Sequence, residues 1–208
     1  MSELIVKCIS LNMFGMNSYI ISKDDEAIII DIAKLTFGYD DYKKLLDGKK
    51  LTKIIYTHGH FDHISGSDDI REIYPDVKHY APKLDYNFFQ DANLNASAYF
   101  GQPITCKEPE YKLEENDIIT LKDIEFKVIH TPGHTHGGVC FYTKGYLFAG
   151  DTIFSAGIGR YDLPTGDYDT LIKSIEEKIF TLDDDTLVYP GHGEYGFSLK
   201  QRKKLNLF

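Results

Sequence analysis

Four residues that can bind a metal ion, His58, His60, Asp62 and His63, lie within six consecutive positions. In an extended or turning segment the first two point the same way, while the last two follow on the turn. Imidazole and carboxylate together suit Zn²⁺, Fe or Mn²⁺, and the lack of thiolate ligands disfavours a structural zinc site. The cluster therefore predicts two groups of donors that face adjacent cations.

Three further candidate ligands each come just after a predicted strand, as the cluster itself does. They are His134, Asp151 and His192, which follow predicted strands at residues 124–130, 146–149 and 186–189. Four strand ends can thus deliver seven donors to one rim. Glycine beside three of these positions (133, 150 and 191) lets the backbone turn tightly there. Asp31 ends another strand, where it either orients a ligand or forms a turn.

The elements that must position these residues can be predicted from hydrophobic patterning. Predicted strands cover residues 4–10, 19–22, 27–32, 53–57, 118–121, 124–130, 139–142, 146–149 and 186–189. Predicted helices cover residues 40–46, 65–74, 84–91 and 167–180, and the stretch 82–115 is otherwise hard to interpret. A block of strands followed by helix occurs twice. This order indicates an α/β protein, a four-layer αββα sandwich, with residues 1–208 forming a single domain.

The motifs together resemble the metallo-β-lactamase superfamily. They are His58-x-His60-x-Asp62-His63, Thr131-Pro132-Gly133-His134-Thr135, Gly150-Asp151-Thr152 and Pro190-Gly191-His192-Gly193. Gly150-Asp151-Thr152-Ile153-Phe154 and Gly157-Ile158-Gly159-Arg160 resemble its glyoxalase II (hydroxyacylglutathione hydrolase) branch. The resemblance implies that His58, His60 and His134 hold one metal, that Asp62, His63 and His192 hold the other, and that Asp151 bridges them.

The implied activity is hydrolysis of a thioester such as S-lactoylglutathione. Two divalent ions, with Zn²⁺ as the first choice and Fe or Mn²⁺ as alternatives, would share a hydroxide that attacks the carbonyl. Asp62 is the candidate catalytic residue, because it can orient this nucleophile while it binds metal. Arg160 is the candidate substrate-binding residue, because the glyoxalase II family has a basic residue in the corresponding loop.

Composition excludes several classes of partner. The net charge is −9, which disfavours nucleic acid and anionic membranes, and no apolar run is long enough to span a membrane. Three widely spaced cysteines and an N-terminus without a secretory signal favour the cytoplasm. The expected partner is a small thioester or ester. The basic run Lys200, Arg202, Lys203 and Lys204 is expected to be a solvated tail.

Other functions remain as alternatives. A mononuclear iron persulfide dioxygenase would use only His58, His134 and Asp151. Hydrolysis of another ester or of a lactone is also open, because sixteen residues follow His192 and leave no room for the helical C-terminal domain of full-length glyoxalase II. A β-lactamase is disfavoured by Asp151. The acidic charge argues against a ribonuclease, and the intact ligand set argues against a non-enzymatic binding module.

Overall fold

Two sheets of six strands each make up the centre of the computed structural model, which describes residues 3–10, 14–35 and 38–205. The first sheet contains, in spatial order, β1 (Ile5–Ser10), β2 (Asn17–Lys23), β3 (Glu26–Ile30), β4 (Lys50–Ile55), β5 (Lys78–Pro82) and β6 (Tyr111–Leu113). Strands β1 to β3 are antiparallel, and β3 to β6 run parallel.

The second sheet is mostly antiparallel. In spatial order it contains β7 (Ile118–Leu121), β8 (Ile124–His130), β9 (Val139–Thr143), β10 (Tyr146–Gly150), β11 (Leu187–Pro190) and β12 (Phe197–Ser198). Its one parallel pair is β10 with β11. The helices are α1 (Asp40–Leu46), α2 (Phe61–Ile64), α3 (Ser67–Ile73), α4 (Tyr168–Ser174) and α5 (Leu199–Lys204).

Three apolar layers hold these elements together. Between the sheets, the buried side chains of β2, β3 and β4 pack against those of β7 to β10, Phe126 and Phe148 among them. On the outer face of the first sheet, Tyr42 of α1 and Ile70 of α3 are buried. On the outer face of the second, α4 buries Leu171. Helices therefore cover both sheets, which confirms the predicted αββα sandwich.

Parallel strands bring several polar residues to one edge of each sheet. Asp31, His58 and Asp85 follow the neighbouring parallel strands β3, β4 and β5, so they emerge at the same edge. Asp151 and His192 follow the parallel pair β10 and β11 in the second sheet. Because the carboxyl ends of parallel strands meet, residues far apart in sequence become neighbours at this edge.

Most predicted elements are present, and the differences have local causes. The helix predicted at 84–91 is a single 3₁₀ turn (Tyr86–Phe89), in which Phe88 lies near the His60 ring and Phe89 packs on Tyr56. The helix predicted at 167–180 ends as a π turn (Ile175–Ile179), which keeps both of its isoleucines buried. Strands β5, β6 and β12 were not predicted, because each is short or mixed in polarity. Among the described residues, no helix is long and apolar enough to cross a membrane.

Candidate metal centre

Three buried imidazoles form the first donor group, defined as His58, His60 and His134. The Nε2 atom of His134 lies 2.9 Å from Nδ1 of His60 and 3.2 Å from Nε2 of His58. One ligand atom from each residue can be chosen so that all three lie within 4.8 Å of one another. The first two come from the end of β4, and the third comes from the turn between β8 and β9.

The second donor group, defined as Asp62, His63 and His192, lies beside the first. The Nε2 atoms of the two histidines are 3.2 Å apart, and Oδ2 of Asp62 is 3.3 Å from Nε2 of His192. Asp62 and His63 share the single turn of α2, which starts at the residue after His60. This short helix is what turns the chain from the first group to the second.

Asp151 lies between the two groups. Its Oδ2 atom is 3.5 Å from Nε2 of His134 and 3.4 Å from Nε2 of His192. Its Oδ1 atom is 3.4 Å from Nε2 of His63, is buried and has no hydrogen-bond donor among the described residues. One carboxylate therefore faces both groups, as a bridging ligand must.

Backbone carbonyl groups set the orientation of two of the imidazoles. Nδ1 of His134 lies 2.6 Å from the carbonyl oxygen of Arg160, and Nδ1 of His192 lies 2.9 Å from that of Phe14. A carbonyl oxygen can only accept, so each Nδ1 carries a hydrogen and donates it. When either ring is neutral, its Nε2 atom then carries a lone pair that faces the other metal-binding atoms of the site.

Asp31 orients one ring in each group. Its carboxylate accepts hydrogen bonds from the backbone N–H and the hydroxyl of Thr57 and from Nδ1 of His63, at 2.7–2.8 Å. Because the Thr57 hydroxyl donates to Asp31, it accepts from Nδ1 of His58, 3.0 Å away. Asp31 also has a left-handed backbone conformation with φ +55°, so it both orients ligands and forms a turn.

The donor set fits divalent cations. Nε2 of His58 and Nε2 of His134 lie 3.2 Å apart with both outward Nδ1 atoms donating elsewhere, so their lone pairs repel one another, and so do the carboxylates of Asp62 and Asp151. A cation within each group would satisfy all of these atoms at once, and the bonds on the outward nitrogens are those usual for metal-bound histidines. The two groups suit Zn²⁺, Fe or Mn²⁺ alike.

The two groups differ in how they hold protons without metal. Burial lowers the pKa of His58 and His60 well below the ordinary value, and the neighbouring imidazoles lower it further. Burial also opposes the charged form of His63 and His192, but the carboxylate of Asp151 outweighs it together with other acidic neighbours. The pKa of His63 is raised, and that of His192 is raised to about 11. At neutral pH, a proton on His192 therefore takes the place of a cation in the second group.

A buried carboxylate outside both groups ties the metal-binding loops together. Asp85 accepts hydrogen bonds from the backbone N–H groups of Gly59 and Gly137, at 2.9 and 2.8 Å, and from the hydroxyl of Thr135, at 2.7 Å. Gly59 separates the first two histidines of the first group, and Thr135 follows its third. Burial raises the pKa of Asp85, and these donors oppose that rise.

Gly191 is required for space rather than for a turn. A Cβ at this position would collide with Oδ1 of Asp151 and lie 2.7 Å from Cε1 of His63. Gly133 and Gly150, by contrast, have positive φ values of 131° and 49°. The predicted tight turns are therefore present at two of the three glycines, and the third allows the strand β11 to approach the donors.

A cavity of about 380 Å³ opens over the donors. Arg160, the predicted substrate-binding residue, lines it. Its guanidinium already forms a forked ion pair with Asp162, with Nε···Oδ1 and Nη2···Oδ2 distances of 2.8 and 2.9 Å. The backbone of Arg160 thus orients His134, while its side chain is engaged by a neighbouring carboxylate.

The prediction of a solvated basic tail is wrong for Arg202. This side chain is buried, and it donates from Nε to the carbonyl of Phe154 and from Nη2 to that of Gly157, at 3.0 and 3.2 Å. A guanidinium can be buried where its N–H groups find acceptors, and here they hold the loop that lines the cavity. Lys200 and Lys204 are exposed as predicted, and Lys203 pairs with Asp184.

All seven predicted ligands are brought together, and the other histidines lie outside both groups. Sequence patterning did not identify Thr57, Asp85 or the three phenylalanines that line the cavity, Phe14, Phe61 and Phe100. Asp85 carried one usable signal, since it follows a strand as Asp31 does, but β5 itself was not predicted. The remaining histidines make other contacts: His79 with Tyr56, His130 with the His136 carbonyl, and His136 with Asp85.

We expect Asp31→Asn to weaken metal binding at the second donor group about 10- to 100-fold, because His63 loses its carboxylate acceptor. Asparagine tolerates a left-handed backbone, so the turn is retained. The measurement is a Zn²⁺ titration against a chromophoric chelator. Asp47→Asn is the matched control, since Asp47 is exposed and has φ 52°. Unchanged Zn²⁺ affinity in Asp31→Asn would contradict the assigned role.

Zn²⁺ binding at pH 7 is expected to release about one proton from His192 in the second donor group, beyond what metal-bound water releases. A raised pKa means that the proton competes with the cation until the pH exceeds that pKa, so affinity at this group rises with pH. Calorimetry in buffers of different ionisation enthalpy measures the release. His192→Ala should release about one proton fewer, whereas His130→Gln should match the native protein. Equal release from all three would show that the protons come from elsewhere.

Sequence comparison finds relatives that match most of the chain. The probable metallo-hydrolase YqgX of Bacillus subtilis is 36% identical over 182 residues, covering 85% of this chain and 84% of the relative. The hydroxyacylglutathione hydrolase GloC of Haemophilus influenzae is 35% identical over 162 residues, covering 76% of each.

Solved structures share the fold over nearly the whole chain. The BLEG-1 B3 metallo-beta-lactamase superposes with a TM-score of 0.89 at 32% identity, covering 96% of this chain and 97% of its own. A di-iron-bound form of TTHA1623 gives 0.83 at 30% identity, with 97% and 98% covered. ETHE1 from Myxococcus xanthus gives 0.79 at 25%, with 97% and 83% covered. The family model of the metallo-beta-lactamase superfamily matches residues 12–192, and this chain belongs to that superfamily of metal-binding proteins.

Proposed function

We propose that this protein is a dinuclear metal-dependent hydrolase of thioesters, with S-lactoylglutathione as the first substrate to test. The observation that carries the proposal is the position of Asp151, whose carboxylate faces both donor groups: Oδ2 lies 3.5 Å from His134 and 3.4 Å from His192, and Oδ1 lies 3.4 Å from His63. A single-metal site does not need the second group.

The proposed ligands of one cation are His58, His60 and His134, and those of the other are Asp62, His63 and His192, with Asp151 shared. When bound, two divalent cations supply Lewis acidity and a source of hydroxide at neutral pH. The reaction consumes one water and converts the thioester into a carboxylic acid and a thiol.

The chain's own residues would prepare this site in two ways. Asp31 and the carbonyl groups of Phe14 and Arg160 fix the rings, so little reorganisation is needed when the reaction begins. Asp62 lines the cavity, and we propose that its carboxylate orients the attacking water. A thiolate leaves readily, so no dedicated acid is required to protonate it.

The relatives support hydrolysis more directly than they support any one substrate. GloC is named a hydroxyacylglutathione hydrolase and YqgX a probable metallo-hydrolase, which favours the thioester as a first test. TTHA1623 was solved in a di-iron-bound form, so we retain iron beside Zn²⁺ and Mn²⁺. The three cysteines are unpaired, which is compatible with the proposed cytoplasmic location. The proposed partner is a small-molecule thioester or ester. We treat residues 1–208 as one hydrolase domain.

A mononuclear iron persulfide dioxygenase is the second candidate. It would use His58, His134 and Asp151, and these three do lie together, with Nε2 of His134 3.2 Å from Nε2 of His58 and 3.5 Å from Oδ2 of Asp151. The dioxygenase hypothesis gives no role to the second donor group, including the charged pair of Asp62 and His192. Hydrolysis by two cations gives a role to both donor groups.

The test loads the protein separately with Zn²⁺, Mn²⁺ and Fe²⁺ and measures three activities. These are loss of the S-lactoylglutathione thioester, oxygen uptake with glutathione persulfide, and opening of a chromogenic β-lactam. We expect thioester hydrolysis, a loss of about 100-fold or more in kcat for His192→Ala, and no such loss for His130→Gln. Oxygen uptake by the Fe²⁺ form that survives His192→Ala, without thioesterase activity, would replace this proposal with the second candidate.

A further inference from the structure

A partly exposed aromatic wall stands over the second donor group. It consists of Phe14, Phe61 and Phe100, with ring centroids 5.3 Å apart for Phe14 and Phe100, 5.4 Å for Phe61 and Phe100, and 6.0 Å for Phe14 and Phe61. All three line the cavity. Phe14 is 58% exposed and Phe100 40% exposed, although both are large apolar side chains. An exposed aromatic cluster at the mouth of a site indicates a surface that a ligand covers.

The wall is fixed to the donors. The carbonyl of Phe14 accepts the hydrogen bond from His192, and Phe61 immediately precedes Asp62 in α2. Phe154 also lines the cavity, with its ring centroid 6.2 Å from that of His192. A substrate group placed over the second donor group therefore has four phenylalanine side chains within the same cavity.

Besides the metal-binding residues, one charged side chain lines the cavity among the described residues, and it belongs to Arg160. Arg160 is next to His134 through its carbonyl. Asp162 already neutralises that charge with a forked pair. A strongly anionic substrate would have to compete with Asp162 for the guanidinium of Arg160. An apolar group can pack against the wall without breaking that ion pair.

From this asymmetry we propose that the preferred substrates are thioesters with an apolar acyl group, aromatic or aliphatic, that packs against Phe14, Phe61 and Phe100. The assignment to the acyl side follows from polarity. The thiol parts of biological thioesters carry peptide or phosphate groups, and burying these against three rings without hydrogen-bond partners would be costly. This inference rests on the proposed thioester hydrolysis and adds the class of substrate.

The experiment measures kcat/KM for N-acetylcysteamine thioesters with acetyl, butyryl, hexanoyl and phenylacetyl groups. The thiol part is the same small neutral group throughout. If the acyl chain is buried at the wall, kcat/KM rises about three- to fourfold per added methylene, or roughly 100-fold from acetyl to hexanoyl. Phe100→Ala should lower the hexanoyl-to-acetyl ratio by about tenfold or more and leave acetyl turnover within about twofold.

Tyr99→Ala is the matched control, because Tyr99 is the neighbour of Phe100, is 66% exposed and does not line this cavity. It should keep the full chain-length dependence. Phe100→Leu should keep most of it. Because Phe100 is 40% exposed, its variants should fold, and unchanged thermal unfolding verifies this.

A binding measurement separates this inference from the proposed function. Calorimetry compares the thioethers S-hexyl- and S-methyl-N-acetylcysteamine, which cannot be hydrolysed. Tighter binding of the hexyl compound, with a negative heat-capacity change that is lost in Phe100→Ala, supports the wall even if no thioester is hydrolysed. Hydrolysis without chain-length dependence, or equal binding of both thioethers, would contradict the proposed binding of the acyl group at the wall. Neither result would contradict the proposed thioester hydrolysis.

Discussion

Five imidazoles and two carboxylates are held within a few ångströms of one another, mostly buried below a cavity, at one end of two packed sheets. Ligand atoms this close repel one another unless protons or cations lie between them, so the rest of the fold has to hold them in place. Asp31 shows how this is done: one carboxylate binds Thr57 and His63, and through Thr57 it also fixes His58. The sheets supply the positions, and hydrogen bonds on the outward nitrogens supply the orientation.

This constraint explains features that have no other evident purpose. Asp85 is a buried carboxylate in a loop, and its three hydrogen bonds join the two loops that carry the first donor group. Gly191 leaves room where any side chain would meet Asp151. Arg202, at the far end of the chain, holds the loop that lines the cavity. Each of these residues acts on the site without being one of the seven donors.

Local patterning predicted the αββα order and the four-residue cluster, and the family resemblance was needed to assign Asp151 and His192 as ligands. Local patterning was not enough where a residue's role depends on distant partners. Asp85 acquires its role only when β5 lies beside β4, and Arg202 becomes buried only because it reaches carbonyl groups 45 and 48 positions earlier. The aromatic wall joins residues 14, 61 and 100, which no local pattern connects. Arg160 was expected to meet a substrate, yet its partner in the structure is Asp162, two residues away.

The central claim is that two cations share Asp151, and the most direct test is anomalous diffraction from crystals of the Zn²⁺-loaded protein at the zinc edge. The account predicts two peaks per chain about 3.5–4 Å apart. One should lie among His58, His60 and His134, the other among Asp62, His63 and His192, with an oxygen of Asp151 on each. A single peak held by His58, His134 and Asp151, with His192 unbound, would contradict it.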